Sequence, residues 1–213
     1  FIPAPLLEQC HIPQDYRDAD GRTLLDLRCA SGAPDMVLAL RRGADDPDPL
    51  LYVHLTDTVN GQIHILLYVV NDPDSPRFDV DRMPDGSPTE FGTLHRNLAA
   101  EEAACLAGLA PGQVHRGLRS LKSSIEAFEE FVDSLGHTMY HVEPLYYHVA
   151  IVFERYGFNY QQGRMRMEEL DRGFSPGGQL VPLLDDSSAF RQASFARSIR
   201  GRSWAIHDGI LGQ

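Results

Sequence analysis

The segment from His137 to His148 reads His-Thr-Met-Tyr-His-Val-Glu-Pro-Leu-Tyr-Tyr-His and holds three histidines and one glutamate. Side chains alternate across a strand, so if residues 138–143 are extended, His141 and Glu143 share a face. His148 falls near the C-terminal end of that strand, where open α/β sheets bind ligands. Two imidazoles and a carboxylate are a common donor set for a divalent metal such as zinc, nickel or iron. His141, Glu143 and His148 are therefore the candidate metal ligands, and folding could bring a fourth from Glu102, His95 or His64. The structural alternative makes His137 a turn cap, His141 a hydrogen-bonded core residue and Glu143 the polar end of a strand. No H-E-x-x-H or H-x-H spacing favours the metal.

Other reactive side chains form weaker sets. Asp57 and His64 face each other across a hairpin if its turn has two residues, an ordinary cross-strand pair. Ser203 lies close in sequence to the adjacent His207 and Asp208, but no G-x-S-x-G nucleophile elbow is present, and triads are defined by geometry rather than by sequence proximity. Cys105, on an alanine-rich segment, reads as a small core residue.

Composition bounds the setting for this chemistry. The chain has 213 residues, 43% of them hydrophobic, and a formal net charge of −11. A single α/β domain of this length can bury a full core without staples. The acidic surface repels nucleic acid, whose affinity rests on phosphate contacts. The basic residues that could offset it, Arg197, Arg200 and Arg202 in one group and Arg116, Arg119 and Lys122 in another, read as ordinary surface charges. Cys10, Cys29 and Cys105 are odd in number and lack C-x-x-C spacing, which argues against a disulfide scaffold and a cysteine-type zinc site. No apolar run reaches the roughly 18 residues of a membrane helix, and no basic-then-apolar leader is visible. The expectation is a cytoplasmic protein with a small-molecule ligand, a homodimer if it self-associates, and neither nucleic acid nor membrane as partner.

The elements that must position these residues follow from periodicity. Residues 1–32 read as irregular, with a short strand at Thr23–Cys29. Residues 36–71 read as a three-stranded meander whose clearest feature is a hairpin: Leu50–Val59 and Gln62–Asn71 are β-rich, and Asn60-Gly61 between them suits a type I′ turn. Residues 72–93 read as proline-rich loop with a short strand at Arg77–Asp81, and residues 94–107 as a helix. Val114, Leu118, Leu121, Ile125, Phe128, Val132 and Leu135 recur at three- and four-residue steps, which predicts a helix over 112–135 capped by Gly136. A strand at 138–143, a helix at 146–156 and a final strand at 160–168 follow. The tail from residue 171 holds the only Trp and reads as docked. Deeply mixed charge, glycine and Trp204 in residues 200–209 suit a segment that covers a cleft or meets a partner chain.

The order helix 112–135, strand 138–143, proline, helix 146–156 is similar to the second half of the GNAT acetyltransferases. The residues that carry the resemblance are Arg116-Gly117 at the helix start, Glu143-Pro144 after the strand, and Phe153-Glu154-Arg155-Tyr156-Gly157-Phe158, which looks like that family's [FY]-x-x-x-G-F ending. The upstream hairpin fits the family's antiparallel strands. The resemblance implies one domain over 1–213 with a mixed, mostly antiparallel sheet flanked by helices: a β-rich half at 1–93, a helix–strand–helix–strand half at 94–170 and a docked tail at 171–213. It further implies binding of acetyl-CoA or another acyl-CoA at Arg116, Gly117, Leu118 and Arg119, where backbone N–H groups at a helix start approach a diphosphate. The family's glycine positions are held by Arg119 and Leu121, and its usual catalytic tyrosine by Phe153, so Glu143 and Tyr147 are the candidate catalytic residues. Three functions follow: an acyl-CoA-dependent N-acyltransferase, a divalent-metal protein on the same scaffold, or a non-catalytic binding module.

Overall fold

The computed structural model describes residues 1–90 and 95–212. The architecture is mixed α/β, with one five-stranded sheet in the order β1-β2-β3-β4-β5. The chain divides into two compact units, one of Phe1–Ser75 and Arg116–Glu143, the other of Pro76–His115 and Pro144–Gln213.

The first unit holds the whole sheet. Strands β1 (Leu25–Arg28), β2 (Asp35–Leu40), β3 (Leu51–Asp57) and β4 (Ile63–Val70) form an antiparallel meander, and β5 (Tyr140–Val142) adds to β4 in parallel. Alternation sorts the faces: Leu51, Val53, Leu55, Ile63 and Ile65 point to one side and are buried, while Tyr52, His54, Thr56 and His64 point to the other. Two helices cover the apolar face. The short α1 (Ala4–Gln9) contributes Leu6, and α3 (Leu121–Ser134) contributes Phe128 and Val132 to the same core.

The second unit is helical: α2 (Leu98–Leu106), α4 (Tyr147–Arg155), α5 (Arg164–Phe174) and α6 (Ile199–His207). Asn97 caps α2 by accepting a hydrogen bond from the Ala100 N–H. One core gathers Tyr147, Leu170, Phe174 and Ala205; the other gathers Val80, Ala104, Leu109, Phe190 and Trp204. Trp204 is 1% exposed and donates its indole N–H to the Leu109 carbonyl at 2.8 Å, so the C-terminal tail is docked within this unit.

Several expectations are corrected. The meander and β1 stand where periodicity placed them, but the hairpin turn is longer than Asn60-Gly61 alone. The Thr58 N–H donates to the Gln62 carbonyl, and Gly61 (φ 70°) donates back to Thr58, so three residues lie between the closing pair. The register moves by one: Asp57 pairs with Ile63, and His64 with Thr56 rather than Asp57. Helix α3 begins at Leu121, not at residue 112. Gly112 (φ 78°) and Arg119 (φ 56°) interrupt the helical path, and Val114 packs in the second unit while Leu118 packs in the first. The stripe's periodicity therefore continues past the helix by coincidence. Residues 160–168 are not a strand: Gly163 (φ 85°) precedes α5, whose Leu170 and Phe174 share a buried face four residues apart and whose Arg164–Glu168 pair spans one turn. Residues 4–9 are helical, and Arg77–Asp81 form no strand. Residues 91–94 lie outside the described residues, so the end of the expected loop and the first residue of the expected helix at 94 are not described. Among the described residues no helix is long and apolar enough to cross a membrane.

Phe128 is 2% exposed and touches the rings of Phe1, Phe131 and Tyr140. Phe128→Ala is expected to lower stability by about 3–5 kcal/mol, read as a lower urea midpoint with an unchanged slope.

Candidate functional site

The parallel pairing of β5 is short. Ile63, His64 and Ile65 face Tyr140, His141 and Val142, and a last rung runs from the Glu143 N–H to the Ile65 carbonyl at 3.1 Å. Two local features end it there. On β4, Leu55 pairs with Ile65 and His54 with Leu67, which leaves Leu66 as the extra residue of a bulge; bulges bend the strand that carries them. On the other side Pro144 follows Glu143 and has no N–H with which to extend a ladder. Strand β4 continues to Val70 with no described strand on that flank. Its far end leads to the start of α3: the Asp72 N–H donates to the Arg116 carbonyl, and a Cβ built on Gly117 would lie 3.5 Å from the Val70 carbonyl oxygen.

The segment 116–120 enters α3 without a side-chain cap. Arg116, Gly117 and Arg119 are exposed and Leu118 packs against the core. Arg119 has φ 56°, the left-handed backbone that glycine adopts most easily. The hydroxyls of Ser120 and Tyr68 are both buried without a hydrogen bond. Burial pushes the Tyr68 phenol up, partly offset by the neighbouring Ser124 hydroxyl.

Beside the last rung, on the face away from the core, lies an imidazole–carboxylate group. His64 Nε2 is 3.9 Å from Glu143 Oε2. The His64 and His141 rings are 6.2 Å apart at 80°, and His141 Nε2 meets Gln62 Oε1 at 2.9 Å. Thus His64, named in the sequence as a spare ligand and as the cross-strand partner of Asp57, instead joins His141 and Glu143, because β4 and β5 pair in a register that sets the two histidines side by side. Among the described residues no group of three or more His, Cys, Asp or Glu is placed to hold a metal ion.

The remaining sequence candidates belong to the second unit. Tyr147 is 8% exposed within a core. His148 Nδ1 meets the buried Ser203 hydroxyl at 2.9 Å, and the Tyr146 ring stacks on His148 at 5.7 Å. His207 bonds Glu101 instead of Ser203, and Asp208 bonds Arg191, so Ser203, His207 and Asp208 form no triad. Glu101 also receives Arg96. Its burial works to raise the carboxyl, but hydrogen bonds from His207 and Arg96 outweigh that and hold it below the usual range. This buried polar chain was not legible in the sequence, since its members come from three separated stretches. Cys105 is buried, which pushes its thiol up to about 11 and leaves it protonated at neutral pH.

Comparison of the chain with protein-family models, with curated proteins and with solved structures finds no match.

Burial, seconded by the charge of Arg200, lowers His148 to about 4. The folded state therefore resists protonation that the unfolded chain accepts at the ordinary value of 6.5. The stability this contributes is complete above pH 6.5 and is lost as pH falls toward 4, by about 3 kcal/mol. Denaturant midpoints measured from pH 7 to 4 should fall accordingly. His148→Gln should flatten the profile; an equally steep fall in that variant would assign the loss to other groups.

Proposed function

We propose that the first unit binds an acyl-coenzyme A along the free flank of β4 and that the protein is an N-acyltransferase of the GNAT type. One observation carries this reading: two parallel strands pair over three residues, then β4 runs on beside β3 with no described strand on its other flank, toward the start of α3. A strand flank with unpaired N–H and C=O groups accepts an extended amide-bearing chain by adding it as a further strand. The opening of a helix offers N–H groups to a diphosphate.

The residues present fit such a group. The Ser120 hydroxyl at the start of α3 is buried without a hydrogen bond. Arg119 occupies a position where the family places glycine, yet keeps the backbone conformation glycine would have. Arg116 and Arg119 are exposed and supply positive charge where diphosphate oxygens would lie. The coenzyme, when bound, supplies an acyl group activated as a thioester. The chain's own part is to hold that arm extended against β4, to receive an amine on the face of His64 and Glu143, and to take up the proton the amine must lose. Imidazole is a common general base for such a proton, and Glu143 stands 3.9 Å from His64 as the counter-charge for an imidazolium. Tyr147, buried in the second unit, has no part in this assignment.

Acetyl-CoA should raise the melting temperature and titrate to saturation, with about 2.7 kcal/mol of stabilisation at a hundredfold excess over Kd. Replacing both Arg116 and Arg119 by alanine should raise Kd about tenfold and flatten its salt dependence. Arg119→Gly should weaken binding as Arg119→Ala does, yet leave the protein about 1 kcal/mol more stable than Arg119→Ala, because alanine resists positive φ. Absence of saturable binding at millimolar acetyl-CoA removes the proposal.

A further inference from the structure

Strand β1 is outermost in the sheet and pairs only with β2. The Arg41 N–H donates to the Leu24 carbonyl. Along an antiparallel ladder the direction of the backbone groups alternates. Asp26 and Arg28 therefore turn theirs toward β2, and Leu25, Leu27 and Cys29 turn theirs outward. The Leu25 carbonyl accepts the Thr23 hydroxyl and retains its second lone pair. This outward stretch is bounded at both ends. Before it, Thr23 bridges to Arg17 and the Leu24 N–H donates to the Tyr16 carbonyl. After it, the chain turns where the Ala30 carbonyl accepts the Ala33 N–H. The open stretch thus runs from residue 25 to residue 29, and its midpoint is Leu27.

The side chains sort by face. Leu25 and Leu27 lie opposite Leu40 and Leu38 on the core side. Leu38 and Leu40 are buried, yet Leu27 is 57% exposed, so the apolar face reaches the sheet edge uncovered. Asp26 and Arg28 lie on the other side, where the Arg28 guanidinium donates twice to Asp26 Oδ2, at 3.0 and 2.7 Å. Charge on an edge strand commonly guards it against a copy of itself, because like charges meet. Here the order Asp26-Leu27-Arg28 does the reverse: read backwards, it exchanges the acid for the base.

We infer that β1 pairs antiparallel with β1 of a second copy of this chain, about a two-fold axis beside Leu27. Leu27 then faces Leu27 of the second copy as a hydrogen-bonded pair, and Leu25 faces Cys29 in the same way. Asp26 of each copy faces Arg28 of the other as a non-hydrogen-bonded pair, the kind that brings side chains closest. Together with the pair within each strand, acid and base alternate around a square. On the core side the two Leu27 side chains cover each other. A parallel copy in register would set Asp26 against Asp26 and Arg28 against Arg28. The two-fold contact is self-complementary and uses up the open edge, so assembly stops at the dimer. The β4 flank assigned to the coenzyme is elsewhere in the strand order, so the dimer and the acyl-transfer reading stand or fall separately.

Sedimentation of the full chain over a concentration series should show a reversible monomer–dimer equilibrium. Asp26→Lys and Arg28→Glu should each raise the dimer Kd about tenfold or more, because the two-fold axis doubles every change of charge. Mixed in equal amounts, the two variants should form a heterodimer with a Kd near that of the unaltered protein, since each offers the other opposite charges at both positions. Both remain acidic overall, so general attraction does not pair them. Recovery in the mixture also reports that both variants are folded. Under mild oxidation, Leu27→Cys in a Cys29→Ser background should cross-link, because the central pair has Cα atoms about 5.5 Å apart. Native Cys29 should not, because the pairing holds the two copies of it about 13 Å apart along the strand. A chain that stays monomeric at millimolar concentration, a dimer indifferent to both charge variants, or a mixture that restores nothing would overturn the inference. Cross-linking of Cys29 as fast as that of the Leu27→Cys variant would move the contact to another surface and overturn it equally.

Discussion

How far β5 runs beside β4 decides how much of that flank of β4 is paired. Parallel strands cannot be joined by a tight turn; they require a long crossover, usually a helix. Adding β5 to β4 in parallel thus requires a long connection; here it runs through residues 76–115 of the second unit and then α3, which brings Phe128 and Val132 onto the apolar face of the sheet. Were the pairing to continue along the whole of β4, the flank would be closed as in any sheet. It stops at Ile65 because a bulge at Leu66 bends β4 just beyond the last rung and Pro144 cannot extend the ladder. The stretch of β4 beyond Ile65 that has no described strand on that flank follows from that one interruption.

The two faces of the sheet carry different residues. On one, Leu51, Val53, Leu55, Ile63 and Ile65 are buried against α1 and α3. On the other, successive strands from β2 to β5 carry Asp35, Thr56, His64 and His141 in one row. Because the period of a strand is two, the apolar requirement on the first face places no demand on the second, and titratable residues can be set there without cost to the core. The second unit follows a different rule. There several polar groups are buried and paired: His148 with Ser203, His207 and Arg96 with Glu101, Arg191 with Asp208. Buried polar groups of this kind hold separated segments in one arrangement and lose much when a partner is removed. They tie α2, α4 and the C-terminal α6 into one body.

The hairpin strands, the apolar stripe of α3 from Leu121 onward, the stop at Pro144 and the shared face of His141 and Glu143 could be read from residue order, because each is a local matter of period or backbone chemistry. The same signals failed where local pattern had more than one solution. Val114 and Leu118 continue the helical period of α3 but lie on a non-helical segment that passes from one unit to the other. Residues 160–168 offered a strand by residue type, yet Leu170 and Phe174 are spaced for a helix and the salt bridges run along one. Asn60-Gly61 announced a turn correctly, but its length, and hence the partner of His64, depended on how Thr58 and Gln62 closed the loop.

By itself, then, the sequence determined the class of fold, the meander, the acidic charge and the presence of imidazole and carboxylate on one face near residue 143, since these follow from composition and from periods of two and 3.6 residues. Only the tertiary structure decided which imidazole meets Glu143, that the row extends to Asp35, and that Ser203 answers to His148 rather than to His207. Those pairings join residues far apart in the chain, and no local periodicity records them; they are set by strand register and by how helices dock, which exist only once the chain has folded.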